Sequence, residues 1–228
     1  MRKGLDIGVD DFKKLIENDC YYIDKTKFIE DILKDGSEVQ LSMRPRRFGK
    51  TLNMSTLKYF LGIENKEENK ELFKGLYIEN SPLISEQGKY PVVFISMKSV
   101  KGRDFKDLNS SLKKYFRILY GKYRFLKEKL KEDEIKYFNS VLNEEKEDLR
   151  DGLLTLNTFL SEYHNQQVVV LIDEYDAPLL SAYEHGYYDK GVDFFKEFYG
   201  AVLKTNVNLK FGVMTGAIRV AQAGYFQT

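Results

Sequence analysis

Gly49-Lys50-Thr51 and Asp173-Glu174 are the residues of this sequence whose types and spacing invite chemistry. The first group ends the stretch Val39-Gln40-Leu41-Ser42-Met43-Arg44-Pro45-Arg46-Arg47-Phe48-Gly49-Lys50-Thr51-Leu52, an apolar run that passes through a basic loop into a helical pattern. A glycine lets the backbone come close to a polyphosphate, a lysine meets the outer phosphate oxygens, and a threonine hydroxyl can ligate Mg²⁺. Amides at a helix N-terminus supply further donors, so Arg46, Arg47, Phe48, Gly49, Lys50, Thr51 and Leu52 are the candidate phosphate-binding residues. Arg44 stands where the pattern G-x-x-x-x-G-K-[ST] has its first glycine, so the motif alone is incomplete.

The second group closes Val168-Val169-Val170-Leu171-Ile172, a β-branched run of the kind that forms a buried parallel strand and delivers acids to the carboxyl edge of a sheet. There Asp173 would hold Mg²⁺ together with Thr51, and Glu174 would polarise an attacking water. ATP and Mg²⁺ are the implied ligands. The plainer reading, in which Gly-Lys-Thr opens a helix and Asp173-Glu174 ends a strand, weighs less because both groups sit at strand ends in the expected order.

The rest of the chain must position these residues. Tyr90-Pro91-Val92-Val93-Phe94-Ile95-Ser96-Met97 and Leu209-Lys210-Phe211-Gly212-Val213-Met214-Thr215 are two more strand candidates. Strands therefore alternate with helical patterns at four places, which predicts an α/β fold with a mainly parallel sheet and a ligand at its carboxyl edge. A helix is expected from Lys25, with Asp24 as N-cap, one apolar face of Phe28, Ile29, Ile32 and Leu33, and Gly36 closing it. Tyr21, Tyr22 and Asp24, lying just before the first strand, are candidates for base or ribose contacts; core padding and a helix cap are at least as good an explanation. Residues 104 to 164 read as helical. Within them Lys113, Lys114, Arg117, Lys122, Arg124, Lys127, Lys129 and Lys131 interleave with Tyr115, Phe116, Tyr120, Tyr123 and Phe125. Such mixing can bind nucleic acid, but the acidic residues up to Asp148 favour a solvated face.

Composition bounds the partners. The 228 residues suit one α/β core, and 36 basic against 35 acidic residues argue against electrostatic capture of nucleic acid or membrane by the whole surface. Cys20 is the single cysteine, so no intrachain disulfide can form, and no stretch approaches the length of a membrane span or the core of a signal peptide. A cytoplasmic protein is expected. His164 and His185 are too few for a metal site or triad, and no Gly-x-Ser-x-Gly supports covalent catalysis.

Four blocks in order, Tyr22-Ile23-Asp24-Lys25-Thr26, the Arg44 to Thr51 loop, Ile172-Asp173-Glu174-Tyr175-Asp176 and Thr215-Gly216-x-x-Arg219, give the chain a resemblance. It resembles the AAA-ATPase-like domain of mainly bacterial proteins that often carry a PD-(D/E)XK nuclease-like domain behind it, in which Arg44 is an ordinary departure. The resemblance covers nearly the whole chain. It implies a three-layer P-loop NTPase of the additional-strand type spanning 1–228, with residues 1–36 as a segment flanking the nucleotide. It also implies Asp173 as Mg²⁺ ligand, Glu174 as general base and Thr215 as sensor of the outer phosphate. Arg219 would act as a sensor or charge-stabilising arginine, against an ordinary surface arginine. Such domains continue into another strand and a helical lid, so the chain, ending at Thr228, reads as truncated, with any nuclease-like domain or partner subunit lying outside it. Two other functions stay open: a nucleotide-gated interaction module with little turnover, and a metal-dependent nuclease built on Asp173, Glu174 and Asp176.

Overall fold

The apolar runs become four strands because a run buried on both faces is stable only inside a sheet covered on both sides. They are β1 (Val39–Met43), β2 (Val92–Ser96), β3 (Val168–Asp173) and β4 (Leu209–Gly216). The computed structural model describes residues 8–217 apart from Arg44, Arg46 and Arg47. All neighbouring strands are parallel, in the order β1-β4-β3-β2. Every strand therefore ends at one edge of the sheet, and β4 lies between the strand that leads into Gly-Lys-Thr and the strand that ends in Asp173.

All six residues of β3 are buried, which accounts for its unbroken apolar run. Val168, Val170 and Ile172 face a core shared with Phe116, Leu156 and Phe198, while Val169 and Leu171 face a second core with Phe12, Met54 and Phe60. Each such aliphatic side chain contributes about 1.5–3 kcal/mol. The first core is roofed by α5 (Phe105–Lys122), α6 (Glu132–Leu142), α7 (Gly152–His164) and α9 (Tyr188–Leu203), and the second by α1 (Phe12–Glu17), α2 (Lys27–Asp35) and α3 (Lys50–Leu61), with Leu72 and Phe73 following the polar α4 (Lys66–Glu71). The result is three layers, with helices on both faces of a parallel sheet.

The expected helix over residues 25 to 36 starts later than its sequence implies. It is α2, with Thr26 as the N-cap residue, and Gly36 closes it in the left-handed region at φ 74°. Asp24 is not its cap. Its Oδ1 accepts from the Thr26 amide at 2.8 Å and hydroxyl at 2.7 Å, and its Oδ2 accepts from the Tyr77 amide at 2.6 Å, so it ties this segment to the 3₁₀ turn Tyr77–Asn80. After Asp176 the chain enters α8 (Ala177–Glu184), which carries Pro178 in its first turn, where a missing amide costs nothing.

The basic and aromatic stretch is largely self-satisfied. Phe116, Tyr120 and Tyr123 are buried in the first core. Lys113 pairs with Glu147 at 2.8 Å and Arg117 with Glu144 at 3.0 Å, and Lys129 sits over the Tyr163 ring. Three of the aromatics that would have to stack on bases are thus inside, and Lys113, Arg117 and Lys131 pair with acids of the stretch that follows them. Among the described residues, no helix is long and apolar enough to cross a membrane.

Candidate functional site

The polar residues at the carboxyl edge converge through a carboxylate. Asp173, at the end of β3, is 1% exposed, and burial of an acid demands hydrogen-bond partners. It has two. Thr51, in the first turn of α3, donates its hydroxyl to Asp173 Oδ2 at 2.7 Å, and Thr215, near the end of β4, donates its hydroxyl to Asp173 Oδ1. Residues 122 and 42 positions apart in sequence thus meet on one side chain.

The local backbone is shaped for this meeting. Gly49 precedes α3 at φ 73°, in the left-handed region that only glycine enters cheaply, and its carbonyl accepts from the Asn53 amide at 2.9 Å. The chain turns there from the end of β1 into the helix, so that Lys50 and Thr51 open the first turn. Glu174, immediately after Asp173, also has positive φ, at 52°. A glutamate in that region costs on the order of 1–2 kcal/mol, and such strain is concentrated at functional positions. The Tyr175 amide donates to the Thr215 carbonyl at 3.1 Å, which fixes the turn onto β4.

Asp176, which the sequence offers as an acid of a metal-dependent nuclease, and Gly216, to which it gives no role, complete the edge. Asp176 is 3% exposed, and its Oδ2 accepts from the Ala217 amide at 2.8 Å, so the chain leaving β4 is held beside the chain leaving β3. Gly216 has no room for a side chain: a Cβ there would lie 2.6 Å from Tyr175 Cε1 and 3.0 Å from Asp176 Oδ1. For Gly216 the signal in the sequence is the Thr215-Gly216 pair itself.

A cavity of about 500 Å³ adjoins the cluster. Lys50 and Thr215 line it at one end, and it runs along β1 beneath α2, where Phe28, Asp31 and Ile32 form its wall. Those α2 residues, rather than Tyr22 and Asp24, are the part of the amino-terminal segment that faces the cavity. The Tyr22 ring instead packs edge-on against Phe12 at 5.4 Å between centroids, and burial pushes its hydroxyl pKa up. Burial alone would also raise the Asp24 pKa, but the Thr26 and Tyr77 amides and the Thr26 hydroxyl outweigh it and hold the carboxyl below its ordinary value. Tyr21 is exposed, Phe48 is exposed beside Gly49, and Leu52 packs against the second core. The predicted sites Arg46, Arg47 and Arg219 lie outside the described residues.

The donor set suits a hard cation held mainly by its own ligand. One carboxylate and one hydroxyl, with water and phosphate oxygens making up the octahedron, is a familiar Mg²⁺ arrangement. Among the described residues no group of three or more His, Cys, Asp or Glu is placed to hold a metal, and Asp176 is occupied by a backbone amide.

Comparison with known proteins agrees with this architecture. The chain is 28% identical over 235 residues to a protein of Azotobacter chroococcum mcd 1 named "Uncharacterized protein in vnfD 5'region". That alignment takes in 99% of the chain but 39% of the relative, so the chain spans about two fifths of the length of the protein it matches. No solved structure matches it. The profile of the AAA-ATPase-like family, described as "Predicted AAA-ATPase", matches residues 6–226, and by that match the chain belongs to the AAA-ATPase-like family.

Proposed function

We propose that the chain is a P-loop-type nucleotide-binding domain that takes ATP with Mg²⁺ and hydrolyses it, as part of a larger protein. The observation that carries this reading is the cluster Thr51–Asp173–Thr215, with Lys50 one residue from its first member and lining the adjoining cavity. The sheet order supports it, because β4 between β1 and β3 puts a polar residue, Thr215, level with both the loop and the acid.

In this reading Lys50 and the first amides of α3 hold the phosphates, and Arg46 and Arg47 add positive charge around them. Bound Mg²⁺ would neutralise charge on the outer phosphates and orient them. Thr51 and Asp173 would hold it, directly or through water, and the Thr51–Asp173 hydrogen bond fixes both ligands beforehand. Thr215 keeps the Asp173 carboxylate oriented and reads the outer phosphate. Glu174, held by its left-handed backbone at the same edge, takes a proton from the attacking water. Arg219 would supply charge as the phosphoryl group departs. Phosphoryl transfer of this kind depends on positioning and charge neutralisation rather than covalent chemistry.

A second reading, a nucleotide-gated module that turns ATP over slowly and relays its state to a further domain or subunit, such as a nuclease-like domain, draws on the length of the relative beyond the matched part. One pair of variants tests both. Lys50→Ala is expected to lose nucleotide affinity by about 100-fold or more, whereas Glu174→Gln is expected to bind as the parent does and to lose phosphate release. Measurable release by the parent that survives unchanged in Glu174→Gln would contradict the hydrolytic assignment, and saturable binding with no release by the parent would favour the gated module.

A further inference from the structure

We propose that Lys25 is a second phosphate-binding cation of the site, delivered from the segment in front of β1; this rests on the reading of the site as a nucleotide site. A Cβ built on Gly49 would lie 4.0 Å from Lys25 Nζ, so the ammonium hangs over the turn that opens α3. That is a costly place for a cation. The N-terminus of a 12-residue helix carries the positive end of the helix dipole, which favours anions and repels ammonium groups. Lys25 has no carboxylate partner within ion-pair distance among the described residues to offset this. In sequence, the stretch from residue 44 to Lys50, which leads into this turn, is basic and carries no acid.

The placement is enforced from both sides of the residue. Asp24 binds the Thr26 amide and hydroxyl and the Tyr77 amide, and the Thr26 hydroxyl oxygen, itself buried, accepts from the Ile78 amide at 3.1 Å. Tyr22 is wedged against Phe12, whose amide is anchored to Ser55 of α3 at 2.9 Å. The segment is thus bolted to α3 and to the 3₁₀ turn after α4, and Lys25 is the side chain it presents to the loop. A like-charged group fixed against a helix N-terminus is stabilising only when an anion lies between them, and the oligoanion this site is shaped for is the phosphate chain of a nucleotide. Asp24 is then a positioning residue for Lys25 rather than a ribose contact.

The test is calorimetric titration of the parent, Lys25→Met, Lys25→Arg and Lys50→Ala with ATP and with inorganic triphosphate, each with Mg²⁺, alongside ligand-free thermal melts. Lys25→Met is expected to lose about tenfold in affinity for both ligands, as for removal of one charge-assisted hydrogen bond, with Lys25→Arg close to the parent. The ligand-free melt of Lys25→Met should match or exceed that of the parent, since a repulsion has been removed. Unchanged affinity in Lys25→Met, when Lys50→Ala has lost it, overturns the proposal and leaves the nucleotide site standing. A loss for ATP but not for triphosphate would put Lys25 on the base or sugar, and a ligand-free stability that falls in step with affinity would make it structural; either overturns the proposal. No binding of either ligand by the parent overturns both readings.

Discussion

Two cation-rich regions of this molecule treat their charge in opposite ways. In the helical layer around α5, Lys113 and Arg117 are neutralised by Glu147 and Glu144, and the aromatics between them are turned into the core. At the carboxyl edge of β1, β3 and β4, Lys25 lies near a helix N-terminus without a carboxylate partner among the described residues, while the buried Asp173 is satisfied by hydroxyls rather than by a cation at hydrogen-bond distance. The first region pairs cations such as Lys113 and Arg117 within the fold. The second sets an ammonium beside a helix N-terminus and, close by, a buried carboxylate held by two hydroxyls.

Substitutions in the two regions are expected to act differently. The largest structural effect should come at the crowded edge: Gly216→Ala drives a methyl into Tyr175 and Asp176, which are 1% and 3% exposed and have nowhere to go. Chemical denaturation should show a loss of about 1–3 kcal/mol, as for overpacked cores, and an unaltered midpoint would mean that the edge is looser than its geometry.

A smaller effect belongs to the helical layer and is visible only against pH. Burial, then the charge of Lys129, holds the pKa of His164 below its ordinary 6.5, so the unfolded chain binds this proton more tightly than the folded one. The contribution of His164 is therefore present above pH 6.5 and is lost as the pH falls below it. Its Nε2 is buried without a hydrogen-bond partner, which makes protonation there unwelcome. Melting temperatures measured from pH 7.5 to 5 should fall less steeply in His164→Phe than in the parent, and parallel curves would remove His164 from the account.

The smallest effect should be Arg117→Ala. Its side chain is half exposed and its pair with Glu144 lies at the surface, so stability should change by about 0.5 kcal/mol or less and nucleotide affinity not at all. A loss of ATP affinity in this variant would mean that the helical layer also reserves charge for a ligand, and the contrast between the two regions would fail.

What the sequence makes legible follows from the range of the interactions. The buried strands, the acids at the end of β3 and the Gly-Lys-Thr turn are written in short local patterns, and the alternation of strand and helix gives the parallel sheet. Asp24 looks like a cap because caps are local signals. Its actual partner, the Tyr77 amide, is 53 residues away and leaves no mark nearby. The same reason hides Lys25, whose neighbour Gly49 is brought to it by the docking of α1 and residues 22–26 on α3. Tyr22 shows the limit of residue type as evidence: an aromatic before a phosphate loop suits a base contact, but three-dimensional packing assigns it to Phe12 and the second core.

The central claim is that Lys50, Thr51, Asp173 and Thr215 form one nucleotide site, and thermal melting with increasing Mg²⁺ and ATP tests it most directly. A ligand that binds only the folded chain stabilises it by about 2.7 kcal/mol at 100 times its Kd, so the parent should show a saturating rise in Tm. Lys50→Ala should show none in the same range. An equal rise in both proteins, or a flat response in the parent, would contradict the account.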